Sequence, residues 1–252
     1  MLWHKSWLDT RWRFLIGLAL LTMSAFGIVL FHPDLMQLVP LASTVQGNGA
    51  FGRQIREGAE LMRDYRGYIW SQWFQQTPTQ LGTLFATLLG TGGLVSQPFG
   101  GGELFMLSLP ASRNRLLGVR AATGLAEWLV LAVVPSLFIP LLSPAVDQTY
   151  SVGSALVHGV CLFAAGALFF SMALLLSTIF DDVWRPLLIV LCVAFVSAIL
   201  GQVARGLSPF TLMSGEVYFR TGSVPWSGLI TAAAASAAMV YAASVSLARR
   251  DF

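Results

Sequence analysis

The sequence predicts an all-α polytopic membrane helix bundle of about six transmembrane helices, with its N- and C-termini cytoplasmic. Three observations carry the expectation. Hydrophobic residues make up 56% of the chain and charged residues only 11%, against roughly 25% charged residues in a soluble domain. Six apolar runs approach the about 20 residues that a helical span needs. The basic residues, one lysine and fourteen arginines, sit mostly beside those runs, which is how membrane proteins fix their orientation.

The first run, 14–31, follows Trp3, Lys5, Trp7, Arg11, Trp12 and Arg13. Trp3 and Trp7 share a helical face while Lys5 and Asp9 turn away. That pattern predicts a short interfacial N-terminal helix over 1–13 on the inner leaflet. The apolar stretch is longer than a signal-peptide core and no A-x-A site follows, so a retained span is expected.

The second run, 81–96, is rich in glycine and threonine, residues that let helices approach closely in lipid. The third, 121–142, is apolar apart from Glu127, and the fourth, 152–177, contains His158. Pro186 opens the fifth, 186–204, in keeping with a first helical turn. The sixth, 226–247, includes the small-residue stretch 232–238. No internal repeat or linker divides the chain, so 1–252 reads as a single transmembrane domain.

Arginine placement sets the orientation. With the N-terminus inside, Lys5, Arg11, Arg13, Arg113, Arg115, Arg120, Arg185, Arg249 and Arg250 are cytoplasmic, against six outer arginines. Four of those six, Arg53, Arg56, Arg63 and Arg66, lie in one long loop, where charge counts for less. Within that loop, Phe51, Ile55, Leu61, Met62, Tyr65, Ile69, Trp73 and Phe74 recur mostly at three- and four-residue steps. An outer amphipathic segment is therefore expected over 50–76, lying against the bilayer or the bundle.

Several chemistries are excluded. A phosphate-cradling P-loop needs a lysine, and the only one is Lys5. No HExxH or GxSxG motif is present. Cys161 and Cys192 sit in apolar runs without a CxxC partner. No catalytic, cofactor or metal residue is expected in this chain, and no nucleic acid among its partners.

The informative segment is the inner loop 97–120. Three glycines interrupt the second run, Glu103 opens a short apolar stretch, Pro110 ends it, and Ser112-Arg-Asn-Arg leads into the next helix. A short helix with an acidic start, bounded by a glycine hinge and a proline, suits docking by a cytoplasmic partner. A basic loop that merely satisfies the positive-inside rule is the alternative.

The stretch Glu103–Arg120, with its Leu-Ser-Leu-Pro-Ala-Ser-Arg-x-Arg-Leu-Leu-Gly, resembles the signature inner loop of type-2 ABC transporter permeases. The six-run layout, the N-terminal interfacial helix, a second inner loop at 180–186 and the basic C-terminal end extend the resemblance over nearly the whole chain. It implies a membrane-spanning permease subunit of an exporter in the cell (inner) membrane, with lipid around it. It implies a coupling helix carrying Glu103, Leu104, Phe105, Leu107, Pro110 and Ser112, flanked by Arg113 and Arg115, that inserts into a separate ABC ATPase subunit. ATP and Mg would belong to that partner, and a second permease copy would complete a homodimer. The resemblance further implies re-entrant helices in 201–225. The long, charged outer loop departs from the most compact members of the family, so it transfers no substrate.

Glu127 and His158 are the intramembrane polar candidates. Buried charges in a bilayer face an interior partner, so each reads either as part of a coupling path or as a structural polar contact. Glu127 lies near the inner end of its helix and His158 near the outer end of its own, so the two are not expected to touch. Two rivals to the exporter are an ATPase-independent secondary transporter and a membrane scaffold protein.

Overall fold

The computed structural model describes residues 2–33, 35–36, 58, 60–91, 113–180, 182–203 and 208–249. Among these the chain is helical and contains no strand.

Helix α1 runs unbroken over Leu2–Leu30. The expected boundary between an interfacial helix and a first span at residues 13 and 14 is absent. Ser6, Thr10, Phe14, Gly17, Leu21, Ala25 and Val29 are buried at steps of three and four. One face therefore passes through both expected pieces, and with no proline in the stretch nothing interrupts the hydrogen-bond ladder.

Residues 60–63 are helical, and α2 (Tyr65–Ile69) then leads directly into a π-helical turn, Trp70–Phe74. These residues belong to the amphipathic segment read from the sequence. Here Tyr65, Tyr68, Ile69, Trp70, Trp73 and Phe74 are buried, packed with Ala25 and Val29 of α1. Helix α3 (Thr77–Gly90) carries Pro78 in its first turn, where a missing N–H leaves no bond unmade. The remainder of the run 81–96 beyond Thr91 lies outside the described residues.

Helix α4 (Arg113–Leu142) takes in the whole third run and starts well before it. A 3-10 turn, Ser143–Val146, closes on Asp147 at φ 55°. Helix α5 (Val152–Ile179) is capped by the Ser151 hydroxyl, which accepts from the Ser154 N–H. Asp182 likewise accepts from the Arg185 N–H at 2.7 Å at the start of α6 (Trp184–Val203). Two short helices, α7 (Pro209–Met213) and α8 (Glu216–Thr221), then lead to α9 (Trp226–Arg249).

Five of these helices, α1, α4, α5, α6 and α9, are long and apolar enough to cross a membrane. In α5, 67% of the apolar window is buried, against 22–33% in the other four. Helix α5 is thus the most enclosed of the five and packs against α3, α4 and α9, while α1 packs on α4 and α3. Trp128 of α4 donates its Nε1–H to the Phe163 carbonyl of α5 at 3.0 Å. A Cβ at Gly166 would come within 2.1 Å of the Trp128 ring, so only glycine permits this approach.

The pairings fix the helix directions. Gly159 of α5 faces the Ala132 carbonyl while Phe163 meets Trp128, so α4 and α5 are antiparallel. Gly82 faces Leu162 and Gly90 faces Phe170, so α3 runs with α5. Thr10 meets Glu127, and farther along Val29 shares a cluster with Ile139, so α1 runs with α4. The bundle therefore has a near end, where α1 begins and α3 finishes, and a far end, where α1 and α4 finish and α5 begins.

Candidate functional site

At the near end, three helices meet around charged side chains. The last carbonyls of any α-helix lack partners within it, and α3 finishes at Gly90 with its C-cap Thr91 buried. Arg13 of α1 donates from one terminal nitrogen to the Leu88 and Thr91 carbonyls, both at 2.8 Å. Arg120 of α4 donates to the same Thr91 carbonyl at 3.2 Å. Cations are favoured at a helix C-terminus, where the backbone dipoles leave a negative end. The end of α3 is thus tied to α1 by one arginine and to α4 by another.

Beside these arginines, the Thr10 hydroxyl donates to Glu127 Oε1 at 2.5 Å, the short distance of a hydroxyl bound to a carboxylate. Glu127 is only 4% exposed. Its second oxygen, Oε2, has no hydrogen-bond partner, and neither do the buried Ser6 Oγ and Arg120 Nε. Buried polar atoms are usually paired, so three orphans around one node mark a place where the polar contacts are incomplete.

At the far end, α7 and α8 fold back into the bundle. Met213 is fully buried among core residues of α3, α4 and α5, with its sulfur 3.6 Å from Thr83 Oγ1. The Trp70 Nε1–H donates to the Ser214 carbonyl at 3.1 Å, and the Trp70 ring stacks on Phe219 with centroids 4.3 Å apart. Gly215 adopts φ 65°, a conformation that favours glycine, and a Cβ there would lie 2.3 Å from His158 Nδ1. His158 is fully buried, stacked on Phe74 at 4.3 Å and edge-on to Tyr218 at 5.4 Å. Just past α1, burial pushes the pKa of His32 down, its ring edges set against Tyr65 and Tyr68.

The same hairpin separates two hollows. One, of about 650 Å³, opens between the start of α3, the end of α6 and α7–α8, and is lined by polar groups including Gln75, Thr79, Thr211, Ser214, Glu216 and Arg220. The Glu216–Arg220 ion pair, 2.8 Å long, lies on its wall. The other, of about 490 Å³, lies between α5, α7 and α9 and is mainly apolar, with Leu168, Pro209, Leu212, Val217 and Pro225. A volume of several hundred Å³ is that of a small-molecule site.

Of the residues singled out in the sequence, Glu103, Leu104, Phe105, Leu107, Pro110 and Ser112 lie outside the described residues. Arg113 is the first residue of α4, and Arg115, in the same turn, is exposed. Glu127 and His158 occupy separate neighbourhoods, one with Thr10 and the other with Phe74, Tyr218 and Gly215. Arg13 and Arg120 entered the sequence reading only as basic residues beside apolar runs. Their role as caps depends on which helix ends adjacent to them, and no local pattern states that. Among the described residues, no group of three or more His, Cys, Asp or Glu stands ready to hold a metal ion. No family model, curated protein or solved structure matches the chain.

Proposed function

We propose that this chain is the membrane-spanning subunit of an ATP-driven exporter of the type-2 ABC kind. It forms the substrate path and takes its energy from a separate ATPase chain. The observation that carries the reading is the grip on the end of α3. The Glu103–Ser112 stretch follows that end in sequence, and Arg13 and Arg120 bind it to α1 and α4. A displacement of the end of α3 by a partner would reach two neighbouring helices through charge-assisted bonds. The Leu-Pro-Ala-Ser-Arg pattern at 109–113 supports the same partner.

On this reading the near end faces the cytoplasm, both termini are inside, and the chain resides in the cell membrane. Two copies pair, and rigid-body movement of one bundle against the other opens the path. The polar hollow beside α7–α8 supplies the outer part of that path, because a polar-lined concavity gains nothing from facing lipid. No bond is made or broken on this chain. ATP and Mg²⁺ are held by the partner.

The test is to co-express the chain with a candidate ABC ATPase and to measure assembly and ATP turnover. Glu103→Ala and Arg113→Ala are each expected to lower turnover by about tenfold, the scale of a typical coupling free energy. Unchanged assembly and turnover in both variants contradict the coupling role. Transport by the chain alone, driven by an ion gradient, favours the secondary transporter.

A further inference from the structure

We infer that Arg120 is a two-position side chain. It rests on the Thr91 carbonyl in the arrangement described, and it passes to Glu127 when α3 moves. The exchange carries a displacement at the near end into the interior of the α1–α4 pair. This inference rests on the exporter reading for its purpose, but not for its geometry.

Three observations converge on Arg120 and not on Arg13. Arg13 makes two bonds of 2.8 Å to two carbonyls, whereas Arg120 makes one of 3.2 Å. Both guanidinium groups crowd the single Thr91 oxygen, and each positive charge repels the other. The more weakly held of the two is the one that leaves. Arg120 also has a buried Nε with nothing to donate to, while Glu127 has a buried Oε2 with nothing to accept.

These two orphans are complementary and lie on one face of one helix. Residues seven apart differ by only about 20° around an α-helix, and about 10.5 Å along it at 1.5 Å per residue. A long guanidinium arm and a carboxylate arm reaching towards each other cover that interval, and their charges already attract. Bonding the pair would satisfy both orphans at once and free Thr91 from one of its two cations. Among the described residues, the other carboxylate acting on Arg120 is Asp9 of α1, which also draws on Arg13 and is exposed. Asp9 therefore holds both arginines near the surface, whereas Glu127 competes for Arg120 alone. Thr10 fixes Glu127 in place by occupying its Oε1, which leaves Oε2 as the receiving atom.

The experiment uses the full chain in lipid nanodiscs and reads backbone amide exchange over residues 84–91. If Glu127 draws Arg120 away part of the time, Glu127→Gln leaves Arg120 on Thr91, and exchange there slows. In an Arg120→Gln background, the same change has no effect. Arg13→Gln instead speeds exchange by about tenfold, the factor expected for losing a hydrogen bond from a charged group. Arg13→Lys serves where the glutamine variant does not fold.

A merely structural Glu127 gives the opposite sign. Its loss would loosen α1 on α4, and exchange would rise whether or not Arg120 were present. That result, or a Glu127→Gln effect that persists without Arg120, overturns the inference. With the ATPase partner added, Arg120→Gln and Glu127→Gln are each expected to lower ATP turnover by about tenfold, with the double variant no lower than either single one. Additive losses overturn the exchange step. Should the wild-type chain stimulate no ATPase, the exporter reading fails, and the amide-exchange result alone still decides for or against the two positions.

Discussion

Gly215 combines two requirements at the far end. Its φ of 65° and the 2.3 Å that would separate a Cβ from His158 Nδ1 act together. Gly215→Ala is expected to destabilise the chain by about 1–3 kcal/mol from the backbone conformation alone, with the clash added. Thermal unfolding in detergent of Gly215→Ala, His158→Ala and the double variant separates the two contributions. The double variant should recover the clash and keep the backbone cost, and an unchanged midpoint in Gly215→Ala would contradict the hairpin geometry. At this scale the sequence was a partial guide. Glu127 and His158 stood out because charged and titratable groups are rare in apolar runs. Their partners did not, since Thr10, Gly215 and Phe74 are unremarkable residues brought in from other elements.

At the scale of elements, apolar length made the long helices legible, but not where they stop. Helix α1 is the instructive case. The tryptophans and charges before Phe14 suggested a separate helix on the membrane surface. In the structure the polar Ser6 and Thr10 continue the same buried stripe as Phe14 and Leu21. A stripe that changes from apolar to small polar residues still packs when the neighbouring helix offers Glu127, and hydropathy cannot register that. Leu15→Pro distinguishes the two arrangements. Leu15 is 45% exposed, so losing its side chain costs little, as a Leu15→Ala control will show. A proline inside a continuous helix costs about 3 kcal/mol, whereas one in the first turn of a helix starting at 14 would be tolerated. We expect a large drop in the unfolding midpoint for proline and almost none for alanine.

The stretch at 60–76 shows a different limit. Its three- and four-residue periodicity is real, yet Tyr65, Tyr68, Trp70, Trp73 and Phe74 are buried against the ends of α1, α4 and α5. A hydrophobic stripe announces that something will cover it, not what. Likewise the glycines and prolines of 201–225 permitted a fold back into the bundle, but only packing reveals Met213 as the residue that enters the core.

For the whole molecule, the enclosed α5 packs against α3, α4 and α9, α1 packs on α4 and α3, and polar contacts gather at each end of the bundle. Near-end contacts bind α3 to α1 and α4, and far-end contacts hold α7–α8 against α5 beside a polar hollow. Composition was enough to indicate a helical bundle built for lipid, because 11% charged residues cannot cover a water-facing surface of this size. Which helices neighbour one another, and therefore that both arginines converge on Thr91, depends on tertiary packing spread over more than a hundred residues of sequence.

A mechanical link between the near end and an ATPase can be tested in cells by placing a photo-reactive amino acid at Phe105 and identifying what it captures. The expected product is an adduct with a soluble, nucleotide-hydrolysing chain that bears a Walker lysine, with a yield that changes when ATP is depleted. Adducts formed only with lipid or with other copies of this chain, whatever the nucleotide level, would contradict it.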